Sequence, residues 1–415
     1  MKKLYVYADF DWQNAPQLIG ELSYESLRGN DSYGFKFDNE WLRRYGSLNL
    51  SEDLNNYPGQ QYTKPERDIF GCFADALPDR WGRTLLNRRE QILATEENRP
   101  VRRLSSFDYL CGIDDFSRMG GFRFKEDPEG EYICTENNLS IPPLTSIREL
   151  IVASQEIEKS EESHELPEKK WIQQLVHPGT SLGGARPKAG VIDENQVLYV
   201  AKFPSRKDDY DVALWEHLSH QLAKKAGINA AETKAISAGE KYHTLLSLRF
   251  DRTTEGRRIH FASAMTLLGL TDGYNADSGH GYLDIVDFIL QSCCDVDANL
   301  RELYRRVAFN ICIGNSDDHF RNHGFLLTPR GWTLSPAYDM NPTLNEYQSL
   351  LINKSSSKAD LALLLQASED YMIPQSDAQR IIDQVKETVK SWRAMASRLG
   401  ISQREIEYFA ARLDR

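Results

Sequence analysis

The stretch from Gly314 to Pro342 constrains the fold of this chain more than any other. A polar run, Gly314-Asn-Ser-Asp-Asp-His-Phe-Arg-Asn-His, leads into the apolar Gly324-Phe-Leu-Leu. Thr328-Pro-Arg-Gly and then Trp332-Thr-Leu-Ser follow. Two short apolar runs around a turn-forming tetrapeptide predict a β-hairpin, set in a region whose other apolar spacing is helical. A hairpin brings the chain back to where it left. Asp339, in Pro336-Ala-Tyr-Asp-Met-Asn-Pro, is therefore predicted to return beside the loop that carries Asp317 and Asn322.

Asp317 and Asn322 stand five residues apart, the D-x-x-x-x-N spacing of a protein-kinase catalytic loop. That chemistry needs an Asp to orient the attacking hydroxyl and take its proton, and an Asn oxygen on a metal bound to the ATP phosphates. Asp339 would hold Mg²⁺ as the Asp of a kinase D-F-G triplet does. Here the triplet is Asp-Met-Asn, so only the Asp carries over, and the bland alternative is a turn aspartate before Pro342. Upstream, the flexible turn Gly179-Thr-Ser-Leu-Gly-Gly-Ala precedes two predicted strands, Lys188-Ala-Gly-Val-Ile and Val197-Leu-Tyr-Val-Ala-Lys-Phe. Lys202 then lies on a strand after a Gly-rich turn, the order in which a kinase lysine reaches the phosphates. A packed stem with its ammonium in water is the alternative reading. Asp211–Ala226 has helical spacing and stops at Gly227; Glu216 on it is a candidate partner for Lys202, or an ordinary surface glutamate.

Composition narrows the remaining choices. The 415 residues are 40% apolar with a net charge of −11, enough for a sizeable core and unlike a general polyanion binder. Six scattered cysteines lack C-x-x-C spacing, which suggests neither a zinc site nor a disulfide framework. The amino terminus alternates and meets Asp9 and Asp11, so it reads as a first strand rather than a leader. No run has the length of a membrane span, and a soluble, cytoplasmic protein is expected. Residues 1–60 read as short strands, 65–125 as helical with turns, and 156–170 as a helix end or connector. Gly179–Gly184 continues Ala-Arg, not Lys-Ser/Thr, so it is not a P-loop, and no G-x-G-x-x-G stands in a dinucleotide-fold setting. Two other classes remain: a metallo-phosphohydrolase using Asp317, Asp318, His319 and His323, and a binding-only regulator on an inactive kinase-like fold. The first lacks a second ligand cluster, and the second leaves Lys202, Asp317 and Asp339 unexplained.

At these residues the chain resembles the HipA family of bacterial toxin kinases nearly end to end. Ser181-Leu-Gly-Gly-Ala-Arg-Pro-Lys188, Tyr199-Val-Ala-Lys-Phe-Pro, Leu248-Arg-Phe-Asp-Arg252, Asn315–Asn322 and Ser335–Pro342 look like that family's motifs, in order. Leu77-Pro-Asp-Arg-Trp-Gly-Arg83 and Arg118–Phe124 look like its N-terminal region. The resemblance implies an α+β, two-lobed protein-kinase-like fold with a mixed α/β N-terminal lobe and a mostly helical C-terminal lobe. It divides the chain into 1–125, an N-terminal subdomain, 126–255, with the Gly-rich loop and ATP lysine, and 256–415, the helical lobe. ATP and Mg²⁺ are implied, with Gly183, Gly184, Ala185 and Lys202 at the phosphates, and His319 and Phe250 at the nucleotide. Asp317 and Asn322 would be catalytic, Asn322 and Asp339 metal ligands, and Ser181 an autophosphorylation site with Thr180 as rival. Some members carry a hinge glutamate where this chain has Leu248. A HipB-like DNA-binding antitoxin, operator DNA reached only through it, and an aminoacyl-tRNA synthetase substrate are the implied partners.

Overall fold

The computed structural model describes residues 1–414 apart from 28–29, 65–66, 136–140 and 180–183. The chain forms two compact units, one of 1–207 with 251–261, the other of 208–250 with 262–415. These boundaries differ from the three-part division expected above.

In the first unit, five antiparallel strands lie in the order Gln60–Tyr62, Asn30–Phe37, Gln17–Leu27, Lys2–Ala8, Phe122–Lys125. Alternation explains the sheet: Leu4, Val6 and Ala8 point inward while their neighbours do not. The buried face is aromatic, with Phe73 packed 5.7 Å from Phe35 and 5.6 Å from Phe122 between ring centroids. The expected helical content of 65–125 is realised as a 3₁₀ turn, Gly71–Ala76, and the helices Arg80–Glu96 and Ser106–Cys111. The polar stretch 156–170 is the end of helix Ile147–Ser163, its cap and the start of helix Lys169–Gly179. Strands Lys188–Ile192 and Leu198–Lys202 form a hairpin that sets Lys188 opposite Lys202.

Residues 251–261 join this unit through buried polar contacts. Asp251 is fully buried and accepts from the Gly120 amide at 2.8 Å. Arg258 reaches Asp115 at 3.3 Å, and Asp115 also pairs with Arg123 at 2.6 Å. His260 stacks on Phe10 with centroids 4.9 Å apart. Removing one member of such a buried pair strands the other charge, so the segment is held to this unit rather than to its sequence neighbours.

The second unit opens on helix Val212–Lys225, capped by Asp211 at the Leu214 amide (3.1 Å) and ended at Gly227 with φ +84°. Hairpin Thr233–Ile236/Thr244–Leu248 follows. Helices Tyr282–Ser292 and Val296–Ile313, the hairpin Gly324–Thr328/Gly331–Leu334, and helices Leu361–Gln366, Gln375–Val389, Trp392–Arg398 and Gln403–Leu413 come after it. Trp215 packs on Phe409 at 4.4 Å and Trp392 at 6.0 Å, while Phe288 meets Phe325 of the hairpin at 4.9 Å. Among the described residues no helix is long and apolar enough to cross a membrane.

Candidate active site

The loop expected to carry the chemistry begins where helix Val296–Ile313 stops. Gly314 adopts φ +73°, and the Asn315 amide turns back to the Asn310 carbonyl at 3.0 Å. An added Cβ at Gly314 would meet the Thr343 carbonyl at 2.8 Å, so both conformation and space require glycine there. Ser316 shares a 2.6 Å hydroxyl–hydroxyl contact with Thr343, and its carbonyl accepts the Ser349 amide at 2.9 Å.

Asp317 follows, exposed, and its carbonyl organises the turn behind it. That oxygen accepts the His319 amide at 3.1 Å and Asn322 Nδ2 at 3.0 Å. The Asn322 side-chain nitrogen is thus turned toward the Asp317 carbonyl. Partial desolvation raises the Asp317 carboxyl above its ordinary value. His319 opposes the shift, while the charges of Asp339 and Asp318 add to it. Asp339 is therefore an electrostatic neighbour of Asp317, as the hairpin predicted.

Backbone contacts bring Asp339 there. The hairpin pairs Phe325 with Leu334 and Thr328 with Gly331, and the Ser335 amide donates to the Gly324 carbonyl at 2.8 Å. Arg306 then holds the Ser335 carbonyl at 2.7 Å, and the Ala337 amide bonds the Asn229 carbonyl at 2.7 Å. Tyr338 donates to the Arg321 carbonyl at 2.5 Å, and the Thr343 amide closes on the Gly314 carbonyl at 2.8 Å. Asp339 itself is left-handed, with φ +57°. A non-glycine residue in that conformation is costly and persists where its surroundings fix it, as at functional sites.

Asp318 and His323 have a different role from the one a metallo-hydrolase would require. They bond each other at 2.9 Å, both buried, and Tyr282 and Asn310 each donate to the same Asp318 oxygen at 2.7 Å. Burial alone would raise the Asp318 carboxyl; the His323 charge and the hydrogen bonds from His323 and Tyr282 outweigh it and hold it low. Burial, with the Asp318 charge, pushes the Tyr282 phenol far up, so it donates. Asp317 faces solvent instead, and among the described residues no group of three or more His, Cys, Asp or Glu is arranged for a metal. The hydrolase arrangement is not supported.

The remaining predicted residues divide by unit. In the second, His319 carries a buried Nδ1 without a hydrogen-bond partner, and the Phe250 ring lies 5.5 Å from that of Tyr338. Glu216 is buried rather than a surface glutamate, 3.4 Å from Asn341 Nδ2 and 3.9 Å from His220. In the first unit, Gly184 takes φ +96°, Ala185 is exposed, and Lys202 lies on its strand opposite the buried Lys188. Asp79, the cap of helix Arg80–Glu96, accepts the Gly184 amide, while the Trp81 amide donates to the Gly184 carbonyl at 3.3 Å. Trp81 Nε1 also donates to the Lys188 carbonyl at 3.0 Å. Ser181, Thr180 and Gly183 lie outside the described residues. Sequence reasoning missed the Asp79–Trp81 support and the Tyr282–Asn310 pair under Asp318, because neither stands near its target in the chain.

Loop, hairpin and returning aspartate sit within an α+β, protein-kinase-like fold. A family model described as HipA-like C-terminal domain matches residues 180–392, and one described as HipA N-terminal domain matches 12–108. The serine/threonine-protein kinase toxin HipA of Shewanella oneidensis is 25% identical over 351 residues, 78% of this chain and 72% of that protein. A putative kinase of Haemophilus influenzae is 31% identical over 179 residues, 39% of this chain; the match spans about half of that relative, 52%. A solved structure of Shewanella oneidensis HipA with HipB and operator DNA superposes with a TM-score of 0.65 at 17% identity, covering 99% of this chain and 95% of that one. The chain belongs to the HipA family.

Proposed function

We propose that this protein transfers the γ-phosphoryl group of ATP to a serine or threonine hydroxyl of a protein. The observation that carries the reading is the gathering of Asp317, Asn322 and Asp339 at one loop by the contacts from Gly314 to Thr343. Asp317 orients the acceptor hydroxyl and takes its proton, and its raised pKa makes it a stronger base than an ordinary carboxylate. Asn322 and Asp339 offer hard oxygen donors, which suit Mg²⁺ shared with nucleotide phosphates better than an all-protein cage. The unpartnered buried Nδ1 of His319 fits a nucleotide-facing role. Bound Mg²⁺ would neutralise phosphate charge during transfer. Lys202, Gly184 and Ala185 are assigned to the phosphates, Gly183 with them, and Phe250 to the base.

The Shewanella relative is named a kinase toxin, and its solved structure contains HipB and operator DNA. By that likeness we propose for this chain a HipB-like antitoxin partner, contact with operator DNA only through it, and autophosphorylation at Ser181. An aminoacyl-tRNA synthetase is the proposed target and the cytoplasm the proposed location. Phosphoproteomics after induced expression tests the toxin role: wild type is expected to arrest growth and add phosphoserine to one or a few proteins, and Asp317→Asn to do neither. Equal phosphorylation by the two would remove Asp317 from the chemistry.

A further inference from the structure

The most elaborate polar arrangement in the second unit lies beneath the loop, at the residue after the proposed base. One oxygen of Asp318 accepts from the Tyr282 hydroxyl at 2.7 Å, Asn310 Nδ2 at 2.7 Å and His323 Nε2 at 2.9 Å. The donors come from the start of helix Tyr282–Ser292, the last turn of helix Val296–Ile313, and the residue following Asn322. Asp318, Tyr282, Asn310 and His323 are all buried, so in this arrangement none reaches a substrate.

A buried ionic cluster is an inefficient way to gain stability, since an apolar replacement of similar volume often does as well. What the cluster provides is geometry. It ties two helices and both flanks of the 317–322 loop to a single atom. The ends of the loop are fastened as well, at the bond from the Asn315 amide to the Asn310 carbonyl (3.0 Å) and from the Ala264 amide to the His323 carbonyl (2.7 Å). With Asp318 held in the core, the adjacent Asp317 is left facing solvent, and its carbonyl fixes the amide of Asn322 at 3.0 Å.

We propose that Asp318, with Tyr282, Asn310 and His323, is the positioning hub of the catalytic loop, setting where the adjacent Asp317 points and so governing turnover rather than nucleotide binding. The proposal rests on the kinase reading, and its test separates the two.

The experiment uses the full chain with Mg·ATP and the best acceptor from a serine-centred peptide library, comparing wild type, Asp317→Asn, Asp318→Asn and Tyr282→Phe. Circular dichroism and thermal midpoint report folding, and ATP-binding stoichiometry reports the competent fraction. Tyr282→Phe removes one donor and leaves the ring; it is expected to lower kcat about five- to tenfold, with KM for ATP and stoichiometry unchanged. Asp318→Asn is expected to lower kcat at least about a hundredfold with the same KM. Should Asp318→Asn fail to fold, Tyr282→Phe decides alone. A Tyr282→Phe enzyme with wild-type kcat, or one whose loss of kcat matches a loss of ATP stoichiometry, overturns the hub. Wild type that transfers no phosphate overturns the kinase reading, and the hub falls with it.

Discussion

Two adjacent acidic residues in the loop have opposite fates. Asp317 faces solvent with a raised pKa, whereas Asp318 is buried and held low by its donors. A carboxyl whose folded pKa lies above its unfolded value costs stability once pH rises past the unfolded value, about 3.9. Asp317→Asn should therefore abolish transfer while leaving the thermal midpoint at neutral pH equal to or above wild type; a clear drop would mean that the carboxylate is structural. Asp339 bears another kind of strain, its left-handed backbone. Asp339→Ala and Asp339→Gly should both lose Mg²⁺-dependent ATP binding. The glycine variant should be the more stable of the two by about 1–2 kcal/mol, since only glycine adopts that conformation without penalty. Equal urea midpoints for the pair would remove the strain argument.

At the scale of elements, the hairpin and the loop before it were legible because turn residues and apolar alternation are local signals. Gly324–Thr328 and Gly331–Leu334 formed as the pattern predicts, and so did Leu198–Lys202, with Lys202 at its end. What supports them was not legible. Nothing in Leu77–Arg83 announces that Asp79 and Trp81 hold Gly184 and Lys188, more than a hundred residues away; the pairing exists only once the first unit is folded. Glu216 likewise read as a possible surface residue and is buried, because its helix packs on more than one side. The Trp81 support yields a prediction at this scale. Trp81→Phe keeps a ring beside Gly179 but loses the donor to the Lys188 carbonyl, so KM for ATP should rise about three- to tenfold with kcat within about twofold. An unchanged KM would make Trp81 a packing residue only.

Across the whole molecule, the compact units cut the chain at different places from the family-based division, and side-chain chemistry explains one of the cuts. Residues 251–261 enter the first unit through Asp251, Arg258 and His260. Burial pushes the His260 imidazole down to about 3. A histidine lowered in this way contributes its full share above its unfolded pKa, about 6.5, and loses it as pH falls toward the folded value, by up to about 1.4 kcal/mol per pH unit. Wild type should therefore lose more stability between pH 7 and pH 5 than His260→Phe, as read from urea midpoints; equal losses would place the acid sensitivity elsewhere. The central claim is phosphoryl transfer centred on Asp317. The most direct measurement is incubation of the purified chain with γ-³²P-labelled ATP, Mg²⁺ and a serine-centred peptide library. The account predicts label on serine with wild type, and none with Asp317→Asn despite intact folding. Wild-type-level labelling by Asp317→Asn, or a folded, ATP-binding wild type that labels nothing, would contradict it.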